Sequence, residues 1–145
     1  YRDAGEAGLL GIGYPEEIGG SSGDIFHGLI VCEAMIRGGS TGTAAGLSSH
    51  SIALPPIVAL GTEAQKQRFV PPVLAGEKIA ALAVTEPGAG SDVAGTRTAA
   101  VRDGDHYIVN GSKIWSSGAH HSKFGILIAR LGTSSLDSLL DSINS

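Results

Sequence analysis

A chain of 145 residues, 42% of them hydrophobic, is long enough for one packed core or two small ones and has the composition of a globular protein. Its formal charge of -4 and pI near 5.6 leave no broad basic surface, which removes the electrostatic term behind nonspecific nucleic-acid binding. The longest strongly apolar stretch, residues 25–36, is interrupted by His27 and Glu33 and is shorter than the ~20 residues that cross a bilayer, so no membrane span is expected.

Tyr1-Arg2-Asp3 opens in mid-pattern, with no initiator methionine and no basic-then-apolar signal segment, and reads as a cut. Residues 3–10 suit the end of an amphipathic helix closed by Gly11, and Tyr14-Pro15-Glu16-Glu17-Ile18-Gly19-Gly20 is a turn-rich loop. Asp24 is the expected N-cap of a helix running to Ile36 and ended by Gly38-Gly39. Apolar residues fall on almost every face of that helix, which predicts burial. The single cysteine, Cys32, lies in its apolar run; it rules out an internal disulfide, reads as a buried and inert thiol, and suits a reducing compartment. Residues 41–60 hold more helix, which Pro55-Pro56 must break or kink. Thr62-Glu63-Ala64-Gln65 has the spacing of a capping box, from which a short helix runs to near Gly76.

After Gly76 the period becomes alternating and β-branched residues take over, which marks a domain boundary. Residues 79–85 are a buried-strand candidate, followed by a glycine-rich loop over 87–95. Residues 97–101, 106–109 and 112–116 can form two consecutive hairpins turned at Asp103-Gly104 and Asn110-Gly111. Residues 124–129 suit one more strand, and residues 132–145 read as a ragged tail or weak helix. The expected class is α+β: an α-helical segment over 1–77, then an incomplete antiparallel β-domain over 78–131, then the tail over 132–145.

The loop Thr85-Glu86-Pro87-Gly88-Ala89-Gly90-Ser91-Asp92 follows a strand and sets two glycines beside a serine. Such a loop brings backbone N–H groups close to a phosphate, because glycine removes the Cβ that would block approach. Taken alone the pattern is a weak signal, and in unrelated chains a tight turn capped by Ser91 or Asp92 is the commoner outcome. It lacks the third glycine and the following helix of a Rossmann fingerprint, and Gly111-Ser112-Lys113 has the wrong order for a P-loop, so dinucleotide and ATP sites of those kinds are disfavoured.

Tyr14-Pro15-Glu16-Glu17-Ile18-Gly19-Gly20, Gly61-Thr62-Glu63-Ala64-Gln65-Lys66, the Thr85 to Asp92 loop, and Asn110-Gly111-Ser112-Lys113-Ile114-Trp115 occur in this order in one family. Through that ordered set the chain resembles the acyl-CoA dehydrogenases over about residues 3–130, as part of their N-terminal helical domain and the start of their flavin-binding β-domain. The resemblance implies FAD as cofactor, with Leu82, Ala83, Val84 and Thr85 bordering the isoalloxazine ring. It implies that Gly90 and Ser91 lie at the FAD pyrophosphate, Ser91 also near the CoA thioester, and that Trp115 packs against the flavin. Ser116 and Ser117 follow it, Ser117 keeping a hydroxyl where the family often has a threonine near flavin N5. Leu82 takes a position that is often aromatic, which leaves the acyl-chain preference open. The family's reaction removes an α-proton with a glutamate and passes the β-hydride to flavin N5, leaving a trans-2-enoyl-CoA. That glutamate belongs to a C-terminal helical domain, so this chain alone is expected to be inactive. The resemblance further implies an acyl-CoA substrate, an electron acceptor such as an electron-transfer flavoprotein, homo-oligomerisation at full length, and a bacterial cytoplasmic or mitochondrial matrix location. Oxidases and monooxygenases share the fold, and a non-catalytic remnant or assembly module is the reading of a different class.

Other chemistry-bearing residues carry blander readings. Glu86 adjoins the glycine loop but reads as a structural hydrogen-bonding group rather than a base. His120-His121 lacks acidic or cysteine partners, and adjacent residues on an extended segment point to opposite faces, so no metal site is expected. His50 reads as a structural histidine.

Overall fold

The computed structural model describes residues 1–49 and 51–131, and His50 and the tail over 132–145 lie outside the described residues. By their internal contacts the described residues divide into two units: Tyr1–Leu82 with Ser117–Ile126, and Ala83–Ser116 with residues 127–131.

The first unit is helical. Helix α1 (Arg2–Glu6) is followed by a 3-10 turn at Leu9–Gly11 rather than continuing through it, because Gly8 adopts φ 73 and breaks the ladder. The loop after it is folded back on itself, with Ser22 donating its N–H to the Tyr14 carbonyl and Ser21 to that of Gly11. Helix α2 (Ile25–Arg37) starts as the sequence predicts: Asp24 accepts from the N–H groups of Phe26 and His27, and the His27 ring closes a capping box.

Burial of α2 is not found. None of its residues is buried, and Phe26 and Ile30 are 67% and 64% exposed. Gly28, Val31, Cys32 and Met35 turn inward and line a cavity of about 230 Å³ with Leu10, Ile12 and Tyr14, while Ile25, Phe26, Leu29 and Ile30 are exposed. A helix apolar all round needs partners on every side, and the described residues cover one side. Cys32 is accordingly half-buried rather than buried.

Helices α3 (Thr41–Ser49) and α4 (Leu54–Leu60) follow. The stretch is broken rather than kinked: α3 ends at Ser49 and α4 starts at Leu54, with Pro55 and Pro56 in its first turn, where no intrahelical N–H bond is lost. Residues Thr41–Leu60 are long and apolar enough to cross a membrane by length and composition, more so than residues 25–36. Their described backbone is nevertheless two helices of nine and seven residues, each short of the ~20 that a span needs. Helix α5 (Glu63–Phe69) has the expected capping box, with Thr62 Oγ1 accepting from Gln65 N–H and Gln65 Oε1 from Thr62 N–H. Helix α6 (Pro71–Leu74) completes the set. Ala53, Leu54, Val70, Val73, Leu74, Ile18 and Ala80 form the core, with Phe69 and Phe124 rings 4.8 Å apart beside it.

Strands β1 (Ala80–Ala83) and β4 (Phe124–Leu127) pair as a two-stranded sheet. In the second unit β2 (Ala99–Asp103) and β3 (His106–Asn110) form the predicted hairpin, Ala99 opposite Asn110 and Asp103 opposite His106, turned at Gly104 with φ 58. β5 (Arg130–Leu131) joins β2 in parallel, so this sheet is mixed rather than wholly antiparallel. A second hairpin does not form, and residues 112–116 are not a strand. Lys113 and Ile114 instead turn their bonds toward residues 84–86, as described next, and a segment so engaged is not free to extend a ladder along β3.

Candidate functional site

The second unit is organised around a buried carboxylate. Glu86, 7% exposed, accepts from the N–H groups of Arg97 at 2.7 Å and Thr98 at 2.9 Å, and from Lys113 Nζ at 2.8 Å. Lys113, its side chain 10% exposed, donates a second bond to the Val84 carbonyl at 2.8 Å. The Lys113 ammonium foremost, with the neighbouring donors of Thr98 and Arg97 adding to it, holds the Glu86 carboxyl far below the ordinary glutamate range. Both carboxylate oxygens are engaged by these donors. A group so stabilised in the charged form takes up a proton poorly, which fits a structural role better than that of a base.

Glu86 also opens the glycine loop. Its N–H and carbonyl exchange bonds with those of Ala89 at 2.9 and 3.1 Å, so Pro87 and Gly88 sit at the corner of a tight turn. The turn reading of this loop is thus partly right, although backbone bonds close it rather than Ser91 or Asp92. Yet Gly88 and Gly90 have negative φ or extended backbones, and a Cβ on either would meet open space. Neither a left-handed conformation nor close packing among the described residues demands glycine there. What two such glycines do provide is unobstructed backbone N–H groups beside the exposed Ser91.

Ile114 donates its N–H to the Thr85 carbonyl at 2.9 Å, which sets the segment carrying Trp115 and Ser116 along the strand end carrying Val84 and Thr85. Trp115 takes φ 58 and is 83% exposed. Ala83, Val84, Thr85 and Ser116 are half-buried; Gly90 and Ser91 are exposed. All of these belong to the second unit, whereas Leu82 and Ser117 belong to the first. The sequence reading missed Lys113 as a member of this cluster, although a lysine within an otherwise uncharged Gly-Ser-Lys-Ile-Trp run was the available signal.

His120 and His121 lie in a turn rather than an extended segment, with ring centroids 4.0 Å apart, so the rings do not point to opposite faces. No group of three or more potential metal ligands occurs among the described residues.

Residues 1–77 match the family model for the N-terminal domain of acyl-CoA dehydrogenase, and residues 81–141 match that for its middle domain. The chain belongs to the acyl-CoA dehydrogenase family. A probable acyl-CoA dehydrogenase of Bacillus subtilis, YngJ, is 41% identical over 133 residues, covering 91% of this chain and 35% of the relative. The crystal structure of a probable acyl-CoA dehydrogenase from Mycobacterium abscessus superposes with a TM-score of 0.85 at 52% identity, over 90% of this chain and 35% of that one. An acyl-CoA dehydrogenase from Bacillus anthracis, solved in complex with FAD, has a TM-score of 0.82 and 38% identity over 90% of this chain and 23% of its own. The chain thus spans about a third of the length of the first two of these family members.

Proposed function

We propose that this chain is part of an FAD-dependent acyl-CoA dehydrogenase, to which it contributes one wall of the flavin site. Trp115 carries the reading: a large flat ring, 83% exposed on a left-handed backbone, is an unfinished contact that a planar ligand would complete. The open glycines and the Ser91 hydroxyl suit the other end of such a ligand, where phosphate oxygens seek N–H and O–H donors. FAD has both parts, and the FAD-bound family member from B. anthracis supports it. The reaction we assign is the conversion of a saturated acyl-CoA to its trans-2-enoyl-CoA, with electrons passed on to an electron-transfer flavoprotein.

When bound, the flavin supplies the two-electron acceptor. Within this chain, Ala83, Val84, Thr85, Trp115 and Ser116 would orient the ring and exclude water from it. Gly90 and Ser91 hold the pyrophosphate, and Ser91 also faces the CoA thioester. Abstraction of the α-proton falls to a glutamate of the C-terminal helical domain, outside this chain.

The test uses the full-length protein that carries this sequence. It should purify with bound flavin and reduce a dye when given a saturated acyl-CoA. Trp115→Ala should lower flavin retention by at least about 2- to 12-fold, the equivalent of a lost stacking term of roughly 0.5–1.5 kcal/mol to which the lost burial adds, while His120→Ala leaves it near wild type. A folded, flavin-free protein, or equal flavin content in the two variants, would refute the assignment.

A further inference from the structure

A tryptophan at φ 58 is an uncommon thing, because a left-handed backbone crowds the Cβ of any bulky residue. Such a conformation persists where its surroundings over-determine it. The Trp115 ring does little of the holding, since it is 83% exposed. The restraint lies in the two residues before it. Ile114 is tied to the Thr85 carbonyl, and Lys113 reaches inward to the Val84 carbonyl and to Glu86 Oε1. Glu86 in turn takes the N–H groups of Arg97 and Thr98 immediately before β2. One ammonium and one carboxylate, both nearly closed off from solvent, therefore join residues 84–86, 97–98 and 113–114.

Buried ion pairs seldom stabilise a fold more than an apolar pair of the same size would, because desolvation offsets their attraction. What they do impose is direction, since each donor has one acceptor that satisfies it. We infer that Lys113 and Glu86 form a positioning pair, whose task is to fix Trp115 in its left-handed backbone so that the indole is presented before any ligand arrives. Pre-organisation of this kind lowers the ordering cost of binding a rigid planar group. That the group is a flavin rests on the function proposed above; that the ring is held in advance does not.

Trp115 is the only tryptophan of the chain, so its time-resolved fluorescence anisotropy can be read without flavin. In the wild type the anisotropy should decay mainly with overall tumbling. Lys113→Met should add a fast local component on the ps–ns scale of freed side chains, and Glu86→Gln a smaller one, with far-UV circular dichroism unchanged. Thr62→Ala, which weakens a helix cap in the first unit, should leave the decay alone, separating positioning from general loss of stability. A folded Lys113→Met chain whose Trp115 decays as slowly as wild type overturns the inference. If Lys113→Met does not fold, Glu86→Gln decides: a folded Glu86→Gln chain should show the fast component, and a Trp115 decay as slow as wild type overturns the inference. Slow decay in the wild type together with a full-length protein that purifies folded but flavin-free would sink the proposed function and leave the positioning pair standing.

Discussion

The Thr98 side chain occupies the space that a Cβ on Gly111 would need. The two residues lie just beyond the Ala99–Asn110 pair that ends the β2–β3 ladder, and Thr98 is 2% exposed, so it has nowhere to retreat. Gly111→Ala should therefore destabilise the second unit by about 1–3 kcal/mol, the usual cost of overfilling a packed interior. Thr98→Ala in the same chain should recover part of that loss by removing Oγ1, the atom nearest the new Cβ. Urea unfolding of the single and double variants checks both, and additive losses would show that the two positions do not compete for space.

Glu86 gives the second unit a pH dependence with a definite sign. Its folded-state pKa lies below the ordinary value near 4.5, so its stabilising contribution is fully present above that value and is lost as pH falls below it toward the folded pKa. Glu86→Gln cannot ionise and lacks this contribution. The stability gap between wild type and Glu86→Gln should be widest near neutrality and shrink below about pH 4.5. A gap of constant size from pH 7 to pH 3, measured by urea titration, would mean the charge on Glu86 is not what stabilises the loop.

Local chemistry was the legible part of this sequence. Asp24 and Thr62 cap their helices as spacing dictates, because capping is settled within four residues. Asp103-Gly104 likewise turns its hairpin. Asn110-Gly111 has equal turn propensity but makes no hairpin, and its glycine answers to Thr98, twelve or more residues away. Long-range partners of that kind leave no mark in a local pattern. The apolar face of α2 is the converse case: its composition correctly signals a need for contacts, but composition does not say whether the described residues supply them. For the candidate site, the glycine loop and Trp115 were readable as motifs, whereas the Lys113–Glu86 pair that joins them spans 27 positions in sequence.

Helix α4 offers a matched pair of leucines. Leu54 is fully buried in the core and Leu60 is 88% exposed, although both belong to the same apolar run. Leu54→Ala should cost about 2–5 kcal/mol, from lost transfer energy plus the cavity left behind. Leu60→Ala should change stability by no more than about 0.5 kcal/mol. Thermal or urea denaturation of the two variants is sufficient, and a large loss at Leu60 would show that this residue is covered in solution.

The chain by itself should show no dehydrogenation of acyl-CoA above background. Proton abstraction needs a carboxylate whose pKa lies near working pH and which can reach the substrate, and a positioned general base is worth roughly 10²–10⁴ in rate. Glu86, the carboxylate of the glycine loop, meets neither condition: Lys113 and two backbone N–H groups engage it, and they drive its pKa the wrong way for a base. On the proposed function the base belongs to a C-terminal domain, and this chain spans only about a third of its B. subtilis and M. abscessus relatives. Adding FAD, saturated acyl-CoA substrates from short to long, and a dye acceptor should give neither flavin bleaching nor dye reduction. Supplying the remaining domains of the full-length protein should restore both. Substrate-dependent bleaching by the 145-residue chain that vanishes in Glu86→Gln would make Glu86 the base and overturn the structural role assigned to it.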